Sequence, residues 1–452
     1  MIPPIVLRAI AVAGVAVAIL LPISLIKDKI SERQARADQV LRQFAEETSG
    51  PQTIVGPLLV ATCEETYAEE HQVMHAGKAE TVVETKTRRC PTVYFPPRTF
   101  SASATLPVEV RHRGIYPIRL YRSRLEVAGE FRWPAPPVSP SGNLRAWKHV
   151  YAAYFVADPR GIQAFAGGGF RVMDGGEPGP ELPQFTIRED LGDYADREAG
   201  AAVPFAAKLD LVGTSSLAIA PVGDESEIRI DSSWPHPSFG SAWSPERQDI
   251  TPTGFTAGWR MTSIATGGQP TWNLLASTGK LATAKAAGVT LFDPVNAYAL
   301  SYRATEYAFL FVLFTFAALA LAEVTAGVRM HPVQYALVGS AVAVFFLLLI
   351  ALSEHVSFAL SYAAAATACV LLLTFYLRHP LASAARTAIF FGLFAGLYAA
   401  LYLLLQSEDN ALLMGALMVF VLLAVAMVAT RKKQWGSIAR GAAIQAPAAG
   451  DD

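Results

Sequence analysis

The sequence predicts a bundle of six membrane-spanning helices joined to a mainly β domain outside the membrane. Three observations carry this. The 452 residues are 52% apolar with a mean hydropathy of +0.32, yet residues 27–304 hold 29 Lys+Arg and 31 Asp+Glu, roughly the charge density of a water-soluble domain. Outside that segment six stretches are apolar for about 20 residues, the length of helix that crosses a hydrocarbon core. Inside it, short β-branched and aromatic runs are separated by Gly, Pro, Ser and Asp. The long apolar runs exclude an outer-membrane barrel and argue against a cytosolic enzyme. The net charge of −1 lacks the basic excess of a nucleic-acid binder.

The six spans are 5–26, 307–324, 333–352, 356–377, 388–405 and 411–428. The first lacks a small-x-small cleavage site before its flanking charges and reads as an uncleaved anchor, residues 1–26. Ile30, Ala37, Val40, Leu41 and Phe44 keep a helical spacing beyond it, so residues 27–50 form a stalk that Gly50 and Pro51 stop. Residues 51–304 are the β domain, expected as a sandwich or a pair of smaller sheets, with a Gly/Pro-rich stretch at 167–183 as a possible divide between two subdomains. Residues 305–430 form five further spans and 431–452 a tail.

Lys and Arg in short loops mark the cytoplasmic side. Arg329, Arg378, Arg386, Arg431, Lys432 and Lys433 fall in alternate connections and the tail, whereas the other connections carry only Glu354, Glu408 and Asp409. Both termini are therefore expected in the cytoplasm and the β domain outside. Lys27, Lys29, Arg33 and Arg36 disagree, because they follow the first span on the outer side. Cys63 and Cys90 lie in the outer domain, where a disulfide would persist; two unpaired buried thiols fit the sequence equally well.

Five residues share the outer ends of the spans. Glu306 opens the second, Glu354 and His355 join the third to the fourth, and Glu408 and Asp409 join the fifth to the sixth. Such an acidic rim suits a cation, a lipid amine or a basic protein surface, although carboxylates near helix N-termini are also favoured for local reasons. Consecutive Ser353, Glu354 and His355 point in different directions, which argues against a hydrolase triad. Glu69, Glu70, His71 and His75 would share a face for a metal only if helical, and their composition fits a solvated loop, so no metal or other cofactor is expected. No ionisable residue occupies a span centre, which removes most support for a pump. Gly339, Ser340, Ser357, Ser361, Gly392, Gly396 and Gly415 read as small residues for close helix packing. His236 sits between prolines, in a passage that Trp234 and Phe239 would pack.

Strings along nearly the whole chain resemble one family, the CreD inner-membrane proteins. They are Ser49-Gly50-Pro51 with Gly56-Pro57, Arg113-Gly114-Ile115-Tyr116, the run from Ser233 to Gly240 that holds Trp234, His236 and Phe239, Gly254 to Trp259, His331 to Tyr335, Leu352 to His355, Ser407 to Leu413, and Thr430-Arg431-Lys432 with Trp435. The resemblance implies a Gram-negative inner-membrane protein with a periplasmic domain, tied to envelope integrity and stress response, and no known reaction. The family's usual Asp and Lys near the second span are replaced by Asn296 and Glu306, and residues 63–90 look like an insertion. The expected function is non-enzymatic: a tethered periplasmic domain that contacts membrane lipids and an envelope protein or cell-wall component, with no nucleic acid. The alternative is an enzyme or carrier for lipid or cell-wall precursors at the acidic rim.

Overall fold

The computed structural model describes residues 4–75, 78–90, 93–135, 139, 142–167, 170–174, 185–190, 197–240, 242–266, 285–293, 297–326, 330–381, 383–407 and 411–431. It divides into two compact units, one of residues 39–294 and one of residues 1–38 with 295–452. A single helix, α1 (Pro4–Glu47), contributes to both. Its 44 residues make a rod about 66 Å long at 1.5 Å per residue. Span and stalk are thus one uninterrupted element.

The first unit contains seventeen strands among the described residues: β1 (Gln52–His75), β2 (Lys78–Arg89), β3 (Val93–Phe95), β4 (Thr99–Leu106), β5 (Val108–Arg113), β6 (Tyr116–Arg132), β7 (Leu144–Val156), β8 (Ile162–Gly167), β9 (Phe170–Asp174), β10 (Phe185–Asp190), β11 (Ala202–Thr214), β12 (Ser216–Ile219), β13 (Glu225–Ser232), β14 (Pro237–Ser238), β15 (Arg247–Thr251), β16 (Gly254–Thr262) and β17 (Ala287–Leu291). One sheet runs β14-β17-β12-β1-β7-β10-β9, with β2 and β3 also on β1. The other runs β15-β16-β13-β4-β6-β11-β8, with β5 also on β6. Pairing is antiparallel except between β1 and β12 and between β13 and β4.

Strict alternation of buried and exposed residues in β4, β11 and β13 gives the second sheet one core face and one wet face. In the first sheet Ile54–Ala61 and Val150–Val156 are buried without alternation, so these central strands are covered on both faces. One continuous core draws on both sheets, from Val55 and Tyr154 to Phe131, Leu209 and Trp259, and on chain segments either side of residues 167–183. The chain passes from the second sheet to the first at Ser215, which has a positive φ of 66°. There Tyr121 donates its hydroxyl hydrogen to Ser216 O at 2.7 Å.

The foot of α1 is built into this unit. Ser49 and Gln52 are fully buried. The Gln52 amide donates to Ser49 Oγ (2.7 Å), Asp158 O (2.9 Å) and Val212 O (3.3 Å) and accepts from the Asp158 N–H (3.2 Å). Gly50 N–H donates to Asp158 Oδ2 at 2.9 Å. Arg160 donates to the Glu46 carbonyl, and Arg113 forms two bonds to the Glu47 carboxylate at 2.8 and 3.0 Å. Cations therefore meet the C-terminal end of the helix, where the macrodipole favours them. Two strings that carried the family resemblance, Ser49-Gly50-Pro51 and Arg113 to Tyr116, have this joint as their structural reason.

Strands β1 and β2 pair antiparallel as a hairpin at twelve positions, from Glu64–Arg89 to His75–Lys78. A disulfide joins Cys63 to Cys90 at its base. The helical geometry a metal pair would need is thus corrected: Glu69 to His75 are in a strand, where residues four apart lie about 13 Å apart along the chain.

The helical unit contains α2 (Ala297–Glu306), α3 (Ala308–Ala326), α4 (Pro332–Ser353), α5 (Phe358–Leu381), α6 (Ala384–Gln406) and α7 (Ala411–Thr430). Among the described residues four helices are long and apolar enough to cross a membrane, or five if α2 and α3, bent by 48°, make one span; the described apolar part of α7, Leu413–Val425, is shorter. The core packs Phe311, Phe345, Phe346, Tyr362 and Tyr398 edge to face. A Cβ on Gly339 would come within 2.7 Å of Ile19, so this glycine lets α1 approach α4. Gly392 and Gly396 face open space instead; the reading of them as packing residues is corrected, because nothing described in the chain approaches them. At the start of α4, His331 Nδ1 accepts from the Val333 N–H (3.3 Å) and Gln334 Oε1 accepts from the His331 N–H (2.9 Å), with Pro332 at the first helical position. This capping box accounts for the His331-to-Tyr335 string. Replacing His331 by Ala is expected to cost about 1 kcal/mol of thermal stability in detergent.

Candidate functional site

The carboxylates predicted as a rim meet the cations that looked misplaced. Lys27 Nζ lies 3.3 Å from Glu306 Oε1 and 4.5 Å from the centre of the Tyr302 ring. Six residues along α1, Arg33 Nε lies 3.5 Å from Glu354 Oε1, which also accepts from the Tyr298 hydroxyl at 3.4 Å. Glu354 sits at the C-terminal cap of α4 with only 12% of its side chain exposed. The three helices α1, α2 and α4 are thereby clasped by two ion pairs and two tyrosines.

The reading of these acids as companions of a following helix N-terminus is corrected for Glu354, which ends α4 four residues before α5 begins. Nor is either carboxylate an idle acceptor. His355 lies exposed in the next turn, and Glu408 and Asp409 lie outside the described residues. An exposed ion pair such as Lys27–Glu306 contributes about 0.2–1 kcal/mol, so that arm of the clasp sets which side of α1 faces α2 more than it holds the bundle together. Glu354→Lys should lower disulfide yield between cysteines placed at Lys27 and Glu306, and Arg33→Glu in the same chain should restore it; yields independent of both changes would refute the pairing.

The other predicted residues are dispersed over the β unit. Trp234 donates from Nε1 to Phe292 O at 2.9 Å and lies under the Arg119 guanidinium, 5.2 Å from its carbon, while Arg119 is ion-paired to Asp293. His236 is exposed with its ring 6.1 Å from Trp234, and Phe239 packs edge-on against Phe255 and Trp259. Trp234 and Phe239 therefore fix the passage between β13 and β17.

Sequence reasoning missed Glu65. Its side chain, 2% exposed, accepts from Arg88 and Arg145 at 3.0 Å each, from Ser139 at 2.6 Å and from Asn143 at 2.9 Å. The Arg88 guanidinium and these further hydrogen bonds hold its carboxyl far below the usual carboxylate range. It stands two residues from Cys63 and pins β2 to the body of the sheet. Nothing in the local sequence separates it from Glu64, Glu69 or Glu70; only the strand register buries it.

Comparison with known proteins gives two results. The family model described as "Inner membrane protein CreD" matches residues 4–436. The Inner membrane protein CreD of Escherichia coli (strain K12) is 30% identical over 437 residues, covering 93% of this chain and 92% of that protein.

Proposed function

Because the chain belongs to the CreD family of inner membrane proteins, we propose that it is a six-span protein whose β unit lies in the periplasm, engages an envelope protein or cell-wall component and so supports envelope integrity under stress. Both termini lie in the cytoplasm on this reading. The alternation of Lys/Arg loops with acidic loops supports the orientation, and the apolar stretch at 411–428 supplies the sixth span. The observation that carries the reading is α1. It is one helix, bonded at residues 27 and 33 by the clasp and at residues 46–52 by the buried foot. A domain so tethered has limited reach, which suits a scaffold or sensor of nearby envelope material.

The enzyme or carrier reading loses its free acids at Glu306 and Glu354, since both are partnered by α1. Glu354→Gln should leave envelope phenotype and abundance unchanged on the binding reading; loss of phenotype at normal abundance would favour the rival. The main test is site-specific photocrosslinking in cells from exposed positions 83, 103 and 236, with a topology reporter inserted after residue 200. Capture of a discrete envelope partner and a periplasmic reporter signal are expected. A cytoplasmic signal, or no capture from any of the three positions, would overturn the proposal.

A further inference from the structure

The wet face of the second sheet carries two depressions that adjoin. One, of about 370 Å³, lies where β4, β13, β15 and β16 end and includes Thr105, Asp231, Ser233, Asp249, Thr253 and Gly254 in its lining. The other, of about 530 Å³, crosses the middle of the sheet over Ser101, Ser103, Ala128 and Ala206. They meet at the Arg229–Asp231 pair, bonded at 2.9 and 3.1 Å: Asp231 lines the first and Arg229 the second. Two separate strings, Ser233 onward and Gly254 onward, converge on the first depression. Gly254 is required there by its φ of 150° and because a Cβ would come within 2.1 Å of Ser232 O.

Strand register turns this face into rows that run across the strands. One reads Asp249, Thr256, Asp231, Thr105, Arg124, Asp210 from β15 to β11. The next reads Arg247, Gly258, Arg229, Ser103, Glu126, Lys208. Successive members stand about 4.8 Å apart, the strand spacing, close to the length of one pyranose unit in an extended chain.

The chemistry of the rows narrows the occupant. The first row carries mainly acids and the second mainly bases, so the two rows cancel, and several members are paired, as in Lys208–Glu126 at 2.7 Å and Arg124–Asp210 at 3.4 Å; the face as a whole therefore favours neither a polyanion nor a polycation. Asp231 and Asp249 stand two strand spacings apart, about 10 Å, too far to share a metal ion. Asp231 is kept ionised by Arg229, whose hydrogen bond holds its carboxyl below the usual range. Asp249 has no ion pair or hydrogen bond among the described residues. What remains is a row of carboxylate and hydroxyl groups that donate and accept, beside a floor of small side chains on which a flat, uncharged, hydroxyl-rich ring can lie.

Resting on the periplasmic reading above, we infer that the wet face of the second sheet binds an extended, uncharged saccharide strand laid across β15, β16, β13, β4, β6 and β11, with Asp249 at one end and the Ser101–Ser103 floor beside its middle. The test uses the full chain in lipid nanodiscs with chitohexaose as probe and dextran sulfate as the anionic comparison. Chitohexaose should bind, and binding should weaken about tenfold in Asp249→Ala and be lost in Ser103→Trp, which fills the floor. Val83→Trp on the β2 hairpin should bind like wild type, and equal unfolding midpoints establish that the variants fold. Absence of chitohexaose binding, binding of dextran sulfate in its place, or equal binding by Ser103→Trp would overturn the inference. Cellular capture of a protein partner together with no saccharide binding would sink this inference and leave the proposed function standing; a cytoplasmic topology reporter would sink the proposed function whatever chitohexaose does.

Discussion

Replacing Gln52 by Leu should destabilise the β unit by about 3–5 kcal/mol, because a buried hydrogen-bonding group that loses its partner costs about 1–3 kcal/mol and this substitution orphans several at once. Leucine nearly matches glutamine in volume, so packing is preserved and the loss reports on polarity alone. The groups that lose the glutamine are the Ser49 hydroxyl, the Asp158 N–H and the Val212 carbonyl, while the Asp158 carbonyl keeps the Gly161 N–H at 3.2 Å. Gly161→Ala probes the same joint sterically. Its Cβ would stand 2.3 Å from Val212 O, 2.4 Å from Gln52 Nε2 and 2.6 Å from Ser49 Oγ, which predicts a loss of about 1–3 kcal/mol from overpacking. Since the glycine's new methyl strikes the glutamine amide, Gly161→Ala combined with Gln52→Ala should cost less than the sum of the two. Tryptophan fluorescence during urea unfolding of the detergent-solubilised chain reads wild type, the three single variants and the double variant. A stability for Gln52→Leu within about 1 kcal/mol of wild type would show that the foot is not what holds α1 to the β unit.

How much of this was readable in advance follows from which signals are local. Apolar length and charge density are properties of single segments, and they placed the helical stretches and the β domain. The stop of α1 near Gly50 was likewise readable, since a glycine followed by proline ends a helix whatever surrounds it. The ion pairs were half readable: Lys27 and Arg33 stood out as cations on the unexpected side of the first span, and the acids of Glu306 and Glu354 stood out separately, but only the fold brings each to the other. Pairings between positions 279 residues apart, as for Lys27 and Glu306, leave no local trace. Glu65 and Gln52 were invisible for the same reason, because burial of one polar residue among many similar ones is decided by register. The hairpin at 63–90 was misjudged as a loop because its residues are polar on both faces, and a two-sided polar strand lacks the alternation by which strands are recognised.

That hairpin supplies the second large effect. A disulfide stabilises mainly by restricting the unfolded chain, and a closed loop spanning the 27 residues from Cys63 to Cys90 corresponds to about 3.5 kcal/mol on the loop-entropy account. Cys63→Ser with Cys90→Ser should lower the unfolding midpoint accordingly, and limited proteolysis should cut first between residues 67 and 86, the part that extends past the last β1–β7 pair at Thr66–Leu144. Glu65 is the second fastener of the same base, since Arg88 reaches it from β2 while Arg145 reaches it from β7. Its folded-state carboxyl titrates below the unfolded one, so the stability it contributes is complete above the ordinary glutamate range and is lost as pH falls through the depressed value. The protein without the disulfide should therefore show a proteolysis rate that is flat from pH 8 to about 5 and rises only on further acidification, whereas Glu65→Gln in the same background should remove that dependence and cut fast at every pH. If the protein without the disulfide resists cleavage between residues 67 and 86 as well as wild type does, then the twelve-pair ladder alone secures the hairpin and neither fastener governs it.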